Sequence, residues 1–190
     1  MPSPISTAGL TEDEKYAVTR ILDMVELSFM NRRLRADHLE CGATVDSHCR
    51  SIEGAVAAER ATLKKMIVAV EKLRVGVLRS DDRSGEGIHW VLLLQVATRF
   101  LLVDTTHLQY ELPRAIDHAS PDKIKTADKG AYKMAYTLSV PAVFLEETRD
   151  AAIQAWRTFL QQKKYVSAVR DPVSYPSLTT AAHGVMASPL

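Results

Sequence analysis

The feature of this sequence that most constrains its fold is a heptad repeat of apolar residues between Thr44 and Arg79. Spacings of four and three alternate without a slip over ten positions, of which nine are apolar. The positions are Val45, Cys49, Ile52, Val56, Glu59, Leu63, Met66, Val70, Leu73 and Val77. This repeat predicts one long coiled-coil-like helix over 44–79, about 50 Å in length.

Three further helices are predicted around the long one. Thr11, followed three residues later by Glu14, forms a capping box ahead of an apolar stripe, which predicts a helix over 11–36. Residues 88–112 are apolar nearly all round a helix, as expected for the central helix of a bundle. A last helix is predicted over 141–166. We therefore predict an all-α fold, a helical bundle of about four helices.

The domain organisation follows from where the helical pattern stops. A chain of 190 residues suits one domain with its own core, here 11–166. Residues 1–10 read as an irregular lead, and 167–190, which are rich in Pro, Ser and Thr, read as an extended tail. Within the domain, 131–140 alternate apolar with polar or small residues, which favours a short strand or extended segment.

Bulk properties narrow the compartment and the class of partner. The net charge is +1, so the overall charge does not indicate a nucleic-acid or membrane partner. The most apolar window, 89–103, is shorter than the roughly 20 residues that a membrane span needs. The N-terminus lacks the pattern of a secretory signal, and two cysteines do not form a disulfide framework. These features predict an intracellular protein, without separating the cytosol from an organelle interior.

One cluster contains residue types that bind metals: His38, Cys41, His48 and Cys49. Its spacing matches no common zinc pattern, and on one helix the four side chains would spread over about 16 Å. Cys49 is already explained as an apolar position of the heptad repeat, whose ten positions form one stripe that we call the seam. No metal site is therefore predicted.

Two carboxylate-x-x-His pairs, Glu86 with His89 and Asp104 with His107, have the spacing used in di-metal helical bundles. That chemistry needs two further carboxylates in the same core, and Glu86 lies in a Gly-rich loop. We interpret both pairs as accidental and predict no cofactor.

Glu59 is the only charged member of the seam. It is expected to fix the helix register or to form a salt bridge with Arg99, and an acid or base in a bundle pocket is the alternative. No phosphate loop, nucleophile elbow or zinc-protease motif is present. No catalytic residue is predicted, and an uncharacterised helical-bundle enzyme remains the third hypothesis.

A basic run at the end of the first helix, Arg32, Arg33 and Arg35, is dense enough to bind a polyanion. The second hypothesis is accordingly a helical coat or packaging protein that binds nucleic acid through these arginines. Cations at a helix C-terminus are also stabilised by the helix dipole without any ligand, so this hypothesis ranks below the first.

The long helix is predicted to be longer than the helix it packs on, which leaves the beginning of its seam without an intramolecular partner. An uncovered seam is a contact surface for another chain. The first hypothesis is a non-catalytic structural or assembly subunit, docking on other subunits or on itself. The predicted contact residues are Val45, Cys49, Ile52 and Val56, together with the extended tails.

Overall fold

Six β-strands form one curled antiparallel sheet in the computed structural model, and helices pack on both of its faces. The structure describes residues 5, 7–35, 41–58, 62–80, 86–107, 110, 141–164 and 166–179. The elements in chain order are α1 (Glu12–Arg35), α2 (Cys41–Ala58), α3 (Thr62–Met66), β1 (Ile67–Arg79), β2 (Glu86–Val96), β3 (Arg99–Asp104), β4 (Ala142–Glu146), α4 (Arg149–Gln161), β5 (Val166–Val169) and β6 (Val173–Thr179). The prediction of an all-α helical bundle is therefore wrong.

The strands are arranged in the order β4-β3-β2-β1, and β5 and β6 both pair with the other side of β1. β5 pairs with the end of β1 and β6 with its beginning, so the two short strands line one edge of the long one. All of these pairings are antiparallel. The C-terminal residues 167–179, predicted as a tail, thus supply sheet strands.

Each face of the sheet has its own apolar core. The α1/α2 face packs Val70, Leu92 and Leu101 against α1 and α2, whereas the α4 face packs Leu73 and Leu93 against α4. Neighbouring strand residues point to opposite faces, and the two cores therefore share the same strands. Fully burying one such side chain contributes about 1.5–3 kcal/mol.

The predicted long helix over 44–79 is wrong beyond its first half. α2 ends at Ala58, α3 is a single short helix, and the chain continues as β1 from Ile67. Residues 67–79 contain five Val or Ile side chains, which favour strands because branching at Cβ restricts the helical rotamers. The heptad positions Val70, Leu73 and Val77 are apolar because both faces of β1 are covered, not because they form one helical stripe. The described residues of 44–79 therefore do not form a coiled-coil helix.

The predicted central helix over 88–112 is also wrong, since β2 and β3 form a hairpin in this region. Strands that are buried on both faces read as continuous apolar runs, which periodicity alone does not separate from a buried helix. The hairpin reverses at Ala97, whose φ of 52° lies in the left-handed region. The Ala97 N–H donates to the Met66 carbonyl at 2.6 Å.

The first helix and its cap are confirmed. The Thr11 hydroxyl accepts from the Glu14 N–H at 3.2 Å, and the Thr11 N–H donates to Glu14 Oε2 at 2.8 Å. The last predicted helix, 141–166, divides into β4 and α4, with Thr148 as the N-cap of α4. The segment predicted to be extended, 131–140, lies outside the described residues.

Candidate functional site

A buried polar cluster lies where β3 leaves the sheet. Its centre is Asp104, whose Oδ2 accepts from His89 Nε2 on β2 at 2.7 Å and from Trp156 Nε1 on α4 at 2.9 Å. The other carboxylate oxygen, Oδ1, accepts from the Thr106 N–H at 3.0 Å. One carboxylate therefore ties two strands to the helix that covers them.

The strand register explains why His89 and Asp104 meet. Val103 pairs with Leu92 across the hairpin, so Asp104 and His89 are diagonal neighbours on the α4 face. Aromatic rings close the pair on two sides. Trp156 stacks on the His89 imidazole at 5.9 Å between ring centroids, and Tyr110 packs edge-on at 5.1 Å.

Helix α2 reaches the same cluster from the opposite side of the sheet. His48 Nε2 lies 3.2 Å from Thr105 Oγ1, and both side chains are buried. His107, two residues further along the chain, packs edge-on against Phe159 of α4 at 5.3 Å. The end of β3 is thus joined to elements on both faces.

The carboxylate at the centre stays ionised. Burial raises the pKa of Asp104, but the charge and hydrogen bond of the facing His89 outweigh it and hold the pKa below its ordinary value. An ionised carboxylate can only accept hydrogen bonds, so the His89 Nε2 carries the proton that it donates.

An aspartate that orients a histidine is also the arrangement of a general base. Here Asp104, His89 and Trp156 each have an exposed fraction of 0%. A substrate would have to displace α4 to reach the imidazole, whereas the hydrogen bonds as they stand link β2, β3 and α4. The geometry is that of a structural polar centre.

The structure rearranges the two predicted carboxylate-x-x-His pairs. Asp104 accepts a hydrogen bond from His89, which joins one member of each pair across a β-hairpin. The side chain of Glu86 lies outside the described residues. Recognising the hairpin from the apolar run would have predicted this contact, because the register follows from the short turn.

Of the four residues with metal-binding side-chain types, for which no metal site was predicted, His48 and Cys49 are buried on α2. His38 and the side chain of Cys41 lie outside the described residues. Among the side chains that the structure describes, no group of three or more His, Cys, Asp or Glu is placed to hold a metal ion.

The four predicted partner-binding residues pack inside the chain. Val45, Cys49, Ile52 and Val56 have exposed fractions of 2%, 3%, 0% and 8% and belong to the core between α2, α1 and the sheet. A partner could reach them only if α2 left the sheet, and their role in docking stays a prediction.

The charged candidates are placed as follows. Arg32, Arg33 and Arg35 form the end of α1, and their side chains lie outside the described residues, as does Glu59. Arg99 begins β3, where its Nη1 lies 3.2 Å from Glu147 Oε1. Polyanion binding by the three arginines stays a prediction.

A second candidate site lies at the surface, at the end of the α1/α2 face that the described helices leave uncovered. We call it the open strip and define it by Arg74 on β1, Ile88 and Trp90 on β2, and Val173 and Tyr175 on β6. Arg74 pairs with Trp90 on one side and with Val173 on the other. The rings of Trp90 and Tyr175 tilt together at 5.5 Å between centroids.

The open strip begins where the helical layer ends. Gly42, near the start of α2, lies so close to Trp90 that an added Cβ would be 3.2 Å from its Nε1. Beyond this contact Ile88, Val173 and Tyr175 have exposed fractions of 51%, 50% and 42%. Sequence reasoning missed the strip because its residues come from three strands, one of them in the predicted tail.

Comparison of the chain with models of protein families, with curated proteins and with solved structures gave no match. Among the described residues, no helix combines the length and the apolar character needed to cross a lipid bilayer.

Proposed function

We propose that this chain is a non-catalytic subunit of a larger intracellular assembly and that it binds a partner protein through the open strip. The observation that carries the proposal is the exposure of Ile88, Val173 and Tyr175 together at one end of the sheet. Single exposed apolar side chains are ordinary on protein surfaces, whereas grouped ones mark interaction sites.

The composition of the open strip supports the same proposal. Trp, Tyr and Arg are the residue types that contribute most often to the binding free energy of protein interfaces. The open strip contains one of each, namely Trp90, Tyr175 and Arg74, with the aliphatic Ile88 and Val173 beside them. On the same face α1 and α2 cover Val70, Leu92 and Leu101, and the open strip lies beyond them at the end of the sheet.

This proposal moves the docking surface from the predicted seam to the sheet. The seam residues of α2 are buried in the chain's own core. Val173 and Tyr175, by contrast, belong to the region predicted as the C-terminal tail. Cys49 is buried and forms no disulfide with another described residue, which is compatible with a reducing compartment.

The test is the native size of the tagged full-length chain in extracts of its source cells. The variants Ile88→Asp and Val173→Asp place a charge in the open strip and are expected to release the chain to the elution volume of a monomer. The control is Leu27→Asp on α1, where an equally apolar side chain is 64% exposed outside the strip. This control should leave the chain in the assembly.

Two results would overturn the proposal. One is a wild-type chain that elutes as a monomer in extracts, and the other is release by Leu27→Asp as readily as by the strip variants. Thermal unfolding of each purified variant checks that the fold is intact, and Tyr175→Ser provides a milder change at the same surface.

A further inference from the structure

Arg74 lies at the centre of the open strip, and no described residue pairs with its guanidinium. Its side chain is half-buried between its cross-strand neighbours Trp90 and Val173, and it forms no hydrogen bond or ion pair with any described residue. A guanidinium has five N–H donors and keeps its charge at every physiological pH. A half-buried cation of this kind is stabilised strongly when a carboxylate accepts two of its hydrogen bonds.

Lys72 shows how the chain satisfies the neighbouring cation on the same face of β1. Its Nζ lies 2.8 Å from Asp46 Oδ1 on α2, and this contact raises the pKa of Lys72. The next cation along the strand face is Arg74. The first turn of α2, which begins at Cys41, lies over Trp90, the cross-strand neighbour of Arg74. The described helical layer therefore supplies a carboxylate to Lys72 and none to Arg74.

We infer that the partner covers the open strip with a peptide segment that places an Asp or Glu carboxylate opposite Arg74. This inference rests on the proposed function. Apolar side chains of the same segment pack on Ile88 and Val173. The arrangement repeats what α2 does one step along the sheet, where Asp46 binds Lys72 and apolar neighbours such as Val45 and Cys49 enter the core.

The surroundings of Arg74 favour a peptide over nucleic acid. A nucleic-acid strand needs several cations in succession to bind its phosphates. On this face Lys72 is already neutralised by Asp46, and the cross-strand neighbours of Arg74 are the apolar Trp90 and Val173, with Ile88 diagonal to it. An acidic residue within an apolar segment matches this pattern of one cation among apolar side chains.

The first experiment identifies what touches the strip. A photo-crosslinking amino acid replaces Tyr175 in the full-length chain within its source cells, and the crosslinked product is sequenced by mass spectrometry. We expect one protein segment with an Asp or Glu within about three residues of the crosslink, a span set by the 3.3–3.4 Å rise per strand residue. Capture of a protein without such a carboxylate overturns the inference, as does a crosslink to nucleic acid or to a second copy of this chain.

The second experiment tests the charge pair with a synthetic peptide of the crosslinked sequence. Arg74→Glu should weaken binding of this peptide at least about tenfold, because charge-assisted bonds are lost and two carboxylates face each other. Replacing the peptide carboxylate by Lys should restore binding to Arg74→Glu and weaken binding to the wild type. The control Arg50→Glu changes the same net charge at an exposed site on α2 and should leave the affinity unchanged.

The outcomes separate this inference from the proposed function. If Ile88→Asp is released from the assembly but the charge swap does not restore peptide binding, docking through the open strip is supported. The inference of a carboxylate opposite Arg74 is then contradicted. Equal weakening of peptide binding by Arg74→Glu and Arg50→Glu also contradicts the carboxylate inference, because the effect is then one of long-range charge alone. Retention of Ile88→Asp in the assembly removes the docking proposal and this inference with it.

Discussion

Lys72 and Arg74 lie two residues apart on the same face of β1, and within the part of the chain that the structure describes only Lys72 of the two reaches a carboxylate, Asp46 Oδ1 at 2.8 Å. The difference marks the line at which the covering layer of α1 and α2 ends. On one side of it the sheet belongs to the core, and on the other it is the surface that we propose as a docking site.

This difference predicts unequal effects on folding. Lys72→Gln should lower the free energy of unfolding by about 0.5–1 kcal/mol, a modest loss because the paired side chains are 28% and 47% exposed. Arg74→Gln should change it by less than about 0.5 kcal/mol, since no intramolecular bond is broken. Urea unfolding measures both, and a larger loss for Arg74→Gln than for Lys72→Gln would contradict the assignment.

The buried carboxylate predicts a much larger effect. Asp104→Asn keeps the shape of the side chain but removes the charge that His89 and Trp156 both bind, and it should cost about 3–5 kcal/mol of unfolding free energy. The matched control is Asp171→Asn, whose carboxylate is 90% exposed in its ion pair with Arg157 and which should cost less than about 1 kcal/mol. Similar losses in the two variants would show that Asp104 is not the polar centre of the fold.

The same residue predicts how stability depends on pH. The folded-state pKa of Asp104 lies below its ordinary value, so its contribution is complete above the unfolded-state pKa of about 3.9 and is lost as pH falls through the lower folded value. The difference in unfolding free energy between the wild type and Asp104→Asn should therefore narrow as pH falls from about 4 towards 2.

Glu71 adds to the acid sensitivity in the same direction. Burial raises the pKa of Glu71, but the hydrogen bonds from Arg149 and Ser174 outweigh it and hold the pKa below its ordinary value. Thermal unfolding between pH 2 and 7 measures both contributions. A difference between the wild type and Asp104→Asn that widens on acidification would contradict the sign of the Asp104 shift.

The capping box of α1 gives a prediction that needs no tertiary contact. Thr11→Ala removes the hydroxyl that accepts from the Glu14 N–H and should cost about 1 kcal/mol. Thr19→Ala changes the same residue type at an exposed position inside the helix and should stabilise the protein by a few tenths of a kcal/mol. Chemical denaturation distinguishes the two, and equal effects would show that the cap does not stabilise the helix.

The helices with clear local signals were predictable from the sequence. α1 follows its capping box, and the apolar residues Ala152, Ile153, Trp156 and Leu160 of the predicted last helix are buried in α4. These signals act over three or four residues, within one turn of helix. They are independent of what packs on the other side.

The strands were not predictable in the same way. Val70, Leu73 and Val77 satisfy a heptad and also the interior of a strand that is covered on both faces. Only the presence of α1, α2 and α4 around the sheet separates these alternatives. The site residues show the same limit, since His89 and Asp104 stood out as metal-like residue types but their mutual contact depends on the hairpin register.

The sequence by itself determined which residues are apolar enough to be buried and where α1 begins, because capping and hydrophobic burial are properties of local residue types. Only the tertiary structure decided that Ile67–Arg79, Glu86–Val96 and Arg99–Asp104 are strands, that Asp104 lies between His89 and Trp156, and that no described carboxylate lies opposite Arg74. Each of these depends on pairing between distant segments, and pairing is decided by the free energy of the whole packed chain, which no short stretch of sequence contains.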